Sequence, residues 1–243
     1  MCEHGDRRVA RLEVNGTKTP LATHYQGRPL NSPNDLVFSQ RGDLYFTDPP
    51  YGLNKKEDDP EFQLGFSGVY RVSKAQMDRA KATDAGADAA GAPIPLHASQ
   101  EPELLEAGLR RPNGLAFSPD FSHLYVANSD EHDPHWRVYE VTEDGGLVGG
   151  RVFMDAKPLI QEGRQGMPDG LTVDEQGNLL ATGPGGVLVL SPSGQHLGTI
   201  FTGAPAANVA FGGDGYLYIA AEHVIQRIPI LTAQAKTPAP PPG

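Results

Sequence analysis

Three polar residues recur at one place in a repeated pattern, and their chemistry gives the first hint of a site. Asn34, Asn113 and Asp169 each follow a proline, namely Pro33, Pro112 and Pro168, and each leads into an apolar stretch. Two amides and a carboxylate are hard oxygen donors, which suit calcium better than a soft or nitrogen-seeking metal. Asn and Asp are also ordinary turn formers, so each residue taken singly has a plain alternative account. A shared repeat phase is what sets the three together against it.

These residues can meet only if the elements around them bring them together. The stretches Leu36-Val37-Phe38, Leu115-Ala116-Phe117 and Leu171-Thr172-Val173 each run into a turn and then a second apolar run: Leu44 to Thr47, Leu124 to Ala127, and Leu179 to Thr182. A fourth copy, Ala207 to Phe211 followed by Leu217 to Ala220, opens on Asn208. Each reads as a β-hairpin. The step from Asp169 to Asn208 approaches the roughly 40 to 50 residues of a propeller blade, and the longer steps need insertions. Third and fourth strands follow at Gly68–Val72, Trp136–Val141 and Gly186–Leu190. The predicted fold is all-β, a β-propeller in which the first residue of every innermost strand comes to one end of the central channel.

One insertion, Ser73 to Ala92, predicts a short helix over Lys74–Ala82 with Ser73 as N-cap, lying as a surface excursion. The rest forms one domain over residues 1–230, and the Pro-rich stretch 231–243 is expected to be disordered.

Composition narrows the function classes. The 243 residues carry a formal net charge of -10, which argues against a surface built to neutralise a phosphate backbone, so nucleic acid is not an expected partner. The single cysteine, Cys2, excludes an intramolecular disulfide and a cysteine zinc site. No apolar run reaches the roughly 20 residues needed to cross a bilayer, so no membrane partner is expected. Met1 to Arg8 lacks a signal-type apolar stretch, which reads as cytoplasmic unless a signal stood upstream. No Gly-x-Ser-x-Gly elbow is found, which favours a metal route over a serine nucleophile. Among the eight histidines only His132 and His135 are spaced like ligands, and their segment, Asp130 to His135, reads as an exposed loop.

In order, Asn31-Ser32-Pro33-Asn34-Asp35, Tyr45 to Leu53, Arg111-Pro112-Asn113-Gly114-Leu115, Met167-Pro168-Asp169-Gly170-Leu171 and Asn208 to Gly213 resemble the SMP-30/gluconolactonase family over Cys2 to about Ile228. The resemblance implies a six-bladed propeller with one divalent metal, usually calcium, that hydrolyses lactones. It places Asn113 and Asp169 on metal ligands, Asp169 also on the candidate general base for a water attacking a lactone carbonyl polarised by calcium, and Asn34 on a metal or substrate contact. Asp48, Tyr51 and Asn208 join Asn34 as substrate-binding candidates, although Asp48 before two prolines is equally a turn former. It further implies that the first blade and part of the second are absent here, together with a ligand glutamate in a Glu-Gly-Pro motif. Glu3 and Glu222 are the carboxylates that could stand in for it, and unclosed blade faces would promote self-association. Ser32 stands where animal members carry a substrate-binding arginine, so their sugar specificity does not transfer. A non-catalytic binding propeller, or a phosphotriester hydrolase using the same metal, is the alternative.

Overall fold

A computed structural model describes residues 1–83 and 101–230. The remainder of the predicted excursion up to Ala92, His97, and the Pro-rich stretch 231–243 lie outside the described residues. The chain divides into two compact units, Met1–Arg110 and Arg111–Gly243. The sequence predicts one domain over residues 1–230.

The first unit holds two antiparallel sheets joined by a short hairpin. Strands β1 (Cys2–Glu3), β2 (Arg8–Leu12) and β3 (Lys18–Ala22) form a three-stranded sheet in chain order. The hairpin β4 (His24–Tyr25) and β5 (Arg28–Pro29) leads to a four-stranded sheet of β6 (Leu36–Phe38), β7 (Leu44–Asp48), β8 (Gly68–Val72) and β9 (Glu103–Glu106). Between β8 and β9 lies α1 (Lys74–Thr83). Its start is a capping box: Ser73 Oγ accepts the Gln76 N–H at 3.3 Å, and Gln76 Oε1 accepts the Ser73 N–H at 2.8 Å. The helix is more than a surface excursion, because Met77 and Ala80 are buried in the cluster of Val9, Leu21, Leu30, Leu44, Phe46 and Tyr70. Phe46 and Tyr70 stack there with ring centroids 5.3 Å apart.

The second unit carries three sheets. They are β10 (Pro112–Phe117) to β13 (Leu147–Asp155) through β11 (His123–Asn128) and β12 (His135–Val141); β14 (Leu171–Val173) to β17 (His196–Phe201) through β15 (Leu179–Gly183) and β16 (Gly186–Leu190); and β18 (Ala206–Phe211), β19 (Tyr216–Ala221) and β20 (Val224–Pro229). A five-residue helix, α2 (Lys157–Gln161), bridges the first two. Each three- or four-stranded sheet is an antiparallel meander in chain order, the form of a propeller blade, and five blades are described, where the resemblance implies a six-bladed plan with the first blade and part of the second absent. We number them one to five along the chain.

Strand β15 shows why these strands read as apolar runs instead of alternating. Leu179 and Ala181 enter the cluster of Trp136, Tyr125, Phe153 and Leu171, while Leu180 enters that of Val187, Val209, Leu217 and Ile219. A strand buried on both faces needs apolar residues at successive positions. Each such interface fixes a neighbouring pair of blades, and with them the ends of their inner strands.

Candidate functional site

In the second unit the inner strands of blades three, four and five lie side by side, and the start of each carries a polar residue. Asn113, second in β10, is buried. Asp169 stands just before β14 and is half-buried. A Cβ on Gly114 would fall 2.4 Å from the Asp169 carbonyl oxygen, so only glycine lets these two strand starts approach so closely. Gly170 plays the same part toward blade five, since a Cβ there would fall 2.3 Å from Asn208 Oδ1. The Gly170 N–H also donates to the Ala207 carbonyl at 2.9 Å. The Asn-Gly and Asp-Gly pairs are therefore close-packing devices here as well as turn signals.

The repeat phase inferred for Asn34 and Asp169 has a direct hydrogen-bond counterpart. The Asn34 N–H donates to Thr47 O at 2.9 Å, and the Asp169 N–H donates to Thr182 O at 3.1 Å. Each threonine returns its own N–H to the residue after, Asp35 O at 3.0 Å and Gly170 O at 2.9 Å. Asn208 is one residue out of this phase. Leu36 pairs with Phe46 and Val209 with Ile219, so Asn208 corresponds to Asp35, and Ala207 to Asn34. The two also behave alike: Asp35 Oδ1 accepts the Leu36 N–H at 2.8 Å, and Asn208 Oδ1 accepts the Val209 N–H at 2.7 Å. The shift matters because successive strand residues face opposite ways.

Sequence reasoning passed over Ser129, which directly follows β11. Its Oγ accepts the Asn113 Nδ2–H at 3.0 Å and donates to the carbonyl oxygen of Pro168, the residue before Asp169. The only sequence signal for it was its place at the end of the second strand of the hairpin that Asn113 opens. The segment that follows is exposed only in part: Glu131, His132 and Asp133 are exposed, but Asp130 is buried and His135 is the buried first residue of β12.

In the first unit Asn34 is half-buried, with Nδ2 3.5 Å from His4 Nε2. Tyr51 is half-buried in the loop after β7. Asp48 has a different task from the substrate contact expected of it. It is fully buried, and its two oxygens accept the N–H groups of Asn31 at 2.8 Å and Ser32 at 2.7 Å. Burial pushes its carboxyl up to about 7 in spite of these two donors and of Arg7. Ser32, also fully buried, donates its hydroxyl to Pro49 O at 2.5 Å and accepts the Gly52 N–H at 2.8 Å. The hydroxyl at the arginine position is thus spent on the loop that carries Tyr51.

The donor chemistry of the second unit fits a hard cation. Asp169 offers a carboxylate and Asn113 an amide oxygen on adjoining strand starts. Among the described residues no group of three or more His, Cys, Asp and Glu could hold a metal, so any such site draws on further oxygen donors, which amide and backbone carbonyls supply. Of the two carboxylates named for the missing glutamate, Glu3 is bridged by both Arg8 and Lys18. Glu222 lies exposed in the turn between β19 and β20, with φ 48°.

A family model described as the SMP-30/Gluconolactonase/LRE-like region matches residues 1–223. The chain is 37% identical over 235 residues to a gluconolactonase of Zymomonas mobilis, covering 94% of this chain and 59% of that protein. It is 24% identical over 216 residues to the lactonohydrolase oryL of Aspergillus oryzae, covering 82% of this chain and 44% of the relative. The solved structure of a Xanthomonas campestris gluconolactonase superposes with a TM-score of 0.73 at 30% identity, over 94% of this chain and 67% of that one. The chain therefore spans less than two thirds of the length of the curated relatives it matches. No helix among the described residues is long and apolar enough to cross a membrane. The match across residues 1–223, on a scaffold of propeller blades, makes the chain a member of the SMP-30/gluconolactonase/LRE-like family.

Proposed function

We propose that this chain is a lactone hydrolase of the gluconolactonase kind, acting with a hard divalent cation, calcium in the first instance, held by Asn113 and Asp169. The observation that carries the reading is the close approach of the two strand starts, where a Cβ on Gly114 would lie 2.4 Å from Asp169 O. A gluconolactonase relative at 37% identity supplies the substrate class. Asn34 joins the reading by repeat phase, and Tyr51 by its loop. Asn208, one residue off that phase, is retained only as a substrate contact. The six-bladed plan belongs to the same proposal, as does self-association, which is supported by exposed apolar side chains such as Phe201 and Ile225.

A cation at this place, when bound, supplies Lewis acidity toward the lactone carbonyl and the charge that develops on its oxygen. Asp169, half-buried and open to water, takes the proton from the attacking water. The Asn113 amide oxygen orients and holds without titrating. No side-chain nucleophile is needed, and Cys2 is a poor one: burial pushes its thiol up to about 12, so it carries almost no thiolate. One carboxylate at the site predicts weak calcium binding, because affinity grows with ligand charge.

Hydrolysis of δ-lactones followed by proton release, with added calcium and then with chelator, tests the reading. Asp169→Asn is expected to lower the rate by about 10² to 10⁴. Full turnover by that variant, or turnover indifferent to chelator, overturns it.

A further inference from the structure

We infer that Ser129 is a positioning residue: it fixes which way round the Asn113 amide sits, and it ties that amide to the peptide leading into Asp169. The inference rests on the reading of Asn113 and Asp169 as cation donors.

A serine hydroxyl has one proton to give and lone pairs to receive. The Pro168 carbonyl can only accept, so the hydrogen bond from Ser129 Oγ to Pro168 O uses that proton. Toward Asn113, Ser129 then presents lone pairs alone, and the only group of the amide that can meet them is Nδ2–H, as found at 3.0 Å. Nitrogen and oxygen are the two branches of one planar amide, so Oδ1 is turned away from Ser129. A flipped amide would set Oδ1 against the Oγ lone pairs with no proton between them. Asn113 is only 6% exposed, so water cannot readily repair the mismatch. A cation needs the oxygen branch, and a hydrogen-bond chain of fixed direction, Asn113 to Ser129 to Pro168, determines where that branch lies.

The same hydroxyl joins the end of β11 to the loop entering β14, so the settings of Asn113 and Asp169 are coupled across two blades. Blade two lacks the device. The residue after β7 is Pro49, which has no hydroxyl, and the neighbour of the Asn34 amide is His4. Outer groups of this kind orient metal ligands, and removing one costs about 10- to 100-fold in affinity.

The test uses Ser129→Ala, Ser129→Thr, Asn113→Asp and the double variant Asn113→Asp/Ser129→Ala. In cation-free protein, the side-chain amide protons of Asn113 are observed by ¹⁵N–¹H spectroscopy and assigned by their loss in Asn113→Asp. One proton is expected downfield and protected from exchange in the wild type and in Ser129→Thr, with both features lost in Ser129→Ala. Calcium calorimetry should then show Ser129→Ala weakened by about tenfold or more and restored by threonine, with the cation-free melting temperature, which the two lost hydrogen bonds lower, measured beside it. A carboxylate offers two equivalent oxygens, so Ser129→Ala should cost much less in the Asn113→Asp background. Unchanged amide signals in Ser129→Ala overturn the inference, and so does unchanged calcium affinity in that variant. If the wild type binds no calcium, the cation reading itself falls, and the amide spectra alone decide whether Ser129 holds Asn113.

Discussion

Asp48 and Asn128 occupy the same place in blades two and three and meet opposite hydrogen-bonding demands there. Each closes the second strand of its hairpin, and each accepts the N–H of the residue before the proline that opens the inner strand: Ser32 at 2.7 Å for Asp48, Arg111 at 3.0 Å for Asn128. The second branch decides the residue type. In Asp48 it accepts the Asn31 N–H at 2.8 Å, whereas in Asn128 it is an NH₂ that donates to Asp133 O at 2.8 Å. Exchanging the two is therefore expected to destabilise in both blades. Asp48→Asn sets an NH₂ against a backbone N–H in a fully buried place, and Asn128→Asp sets a carboxylate against a carbonyl. Each should cost about 1 to 3 kcal/mol by urea denaturation, the cost of a buried polar group left unsatisfied. Variants as stable as the wild type would refute the assignment.

Asp48 also predicts a pH dependence. Its carboxyl lies at about 7 in the folded chain because burial outweighs the two N–H donors, against about 3.9 when unfolded. Between those values the folded state binds the extra proton, so stability falls as pH rises. The contribution is full below the unfolded value, declines through the window, and is gone once pH passes about 7. Other carboxylates work in the opposite direction, among them Asp120, held down to about 2 chiefly by the Ser118 hydroxyl. The measurement is thus the difference between wild type and Asp48→Asn from pH 4 to 8. A difference that does not change with pH would show that the carboxyl stays ionised throughout.

The blades were legible in the sequence because the second strands of the middle three, β7, β11 and β15, are buried on both faces. Leu179-Leu180-Ala181 or Leu124-Tyr125-Val126-Ala127 between turn residues admits little else. What could not be read was register and long-range side-chain pairing. Ala207-Asn208-Val209 imitates the letters of the Pro-Asn/Asp motif, yet its phase is set by the pairing of Val209 with Ile219, one residue away from the apparent match. Asp48 before Pro49-Pro50 looks like a turn residue, and its real partners, the amides of Asn31 and Ser32, lie across the sheet. Ser129 carries no motif at all. Its role follows from the direction of two hydrogen bonds, which only coordinates supply.

Gly114→Ala tests whether the approach of the two strand starts is required. The added methyl would sit 2.4 Å from Asp169 O and 2.7 Å from Gly170 Cα, both backbone atoms that cannot rotate aside. Strands β10 and β14 must then separate, at about 1 to 3 kcal/mol in stability, with loss of calcium affinity and lactone turnover. Gly198→Ala, in β17 with nothing within 4 Å of the new methyl, is the control and should be neutral or slightly stabilising. Equal melting temperatures for the two variants would contradict the packing account.

Arg7 gives the last prediction, because one guanidinium holds two loops of the first unit. Its Nε donates to Leu30 O at 2.6 Å and Asn31 O at 3.1 Å, on the segment that leads to Asn34. Its two terminal nitrogens reach Glu61 Oε2 at 2.9 Å and Glu61 O at 2.8 Å, in the loop 54–65. The side chain is 17% exposed against 59% for Glu61, so the contacts to the Leu30 and Asn31 carbonyls are the sheltered ones and both contacts to Glu61, ion pair included, are wet. Glu61→Gln is accordingly expected to change stability by no more than about 0.5 kcal/mol. Arg7→Lys keeps the charge but cannot fork toward both loops from a single ammonium. It should cost about 2 kcal/mol, the scale of lost hydrogen bonds to a charged donor, and should speed proteolysis within residues 54–65. Denaturation and limited digestion of the two variants side by side decide between the readings. If Glu61→Gln proved the more damaging, the ion pair and not the carbonyl fork would be what fastens the loops.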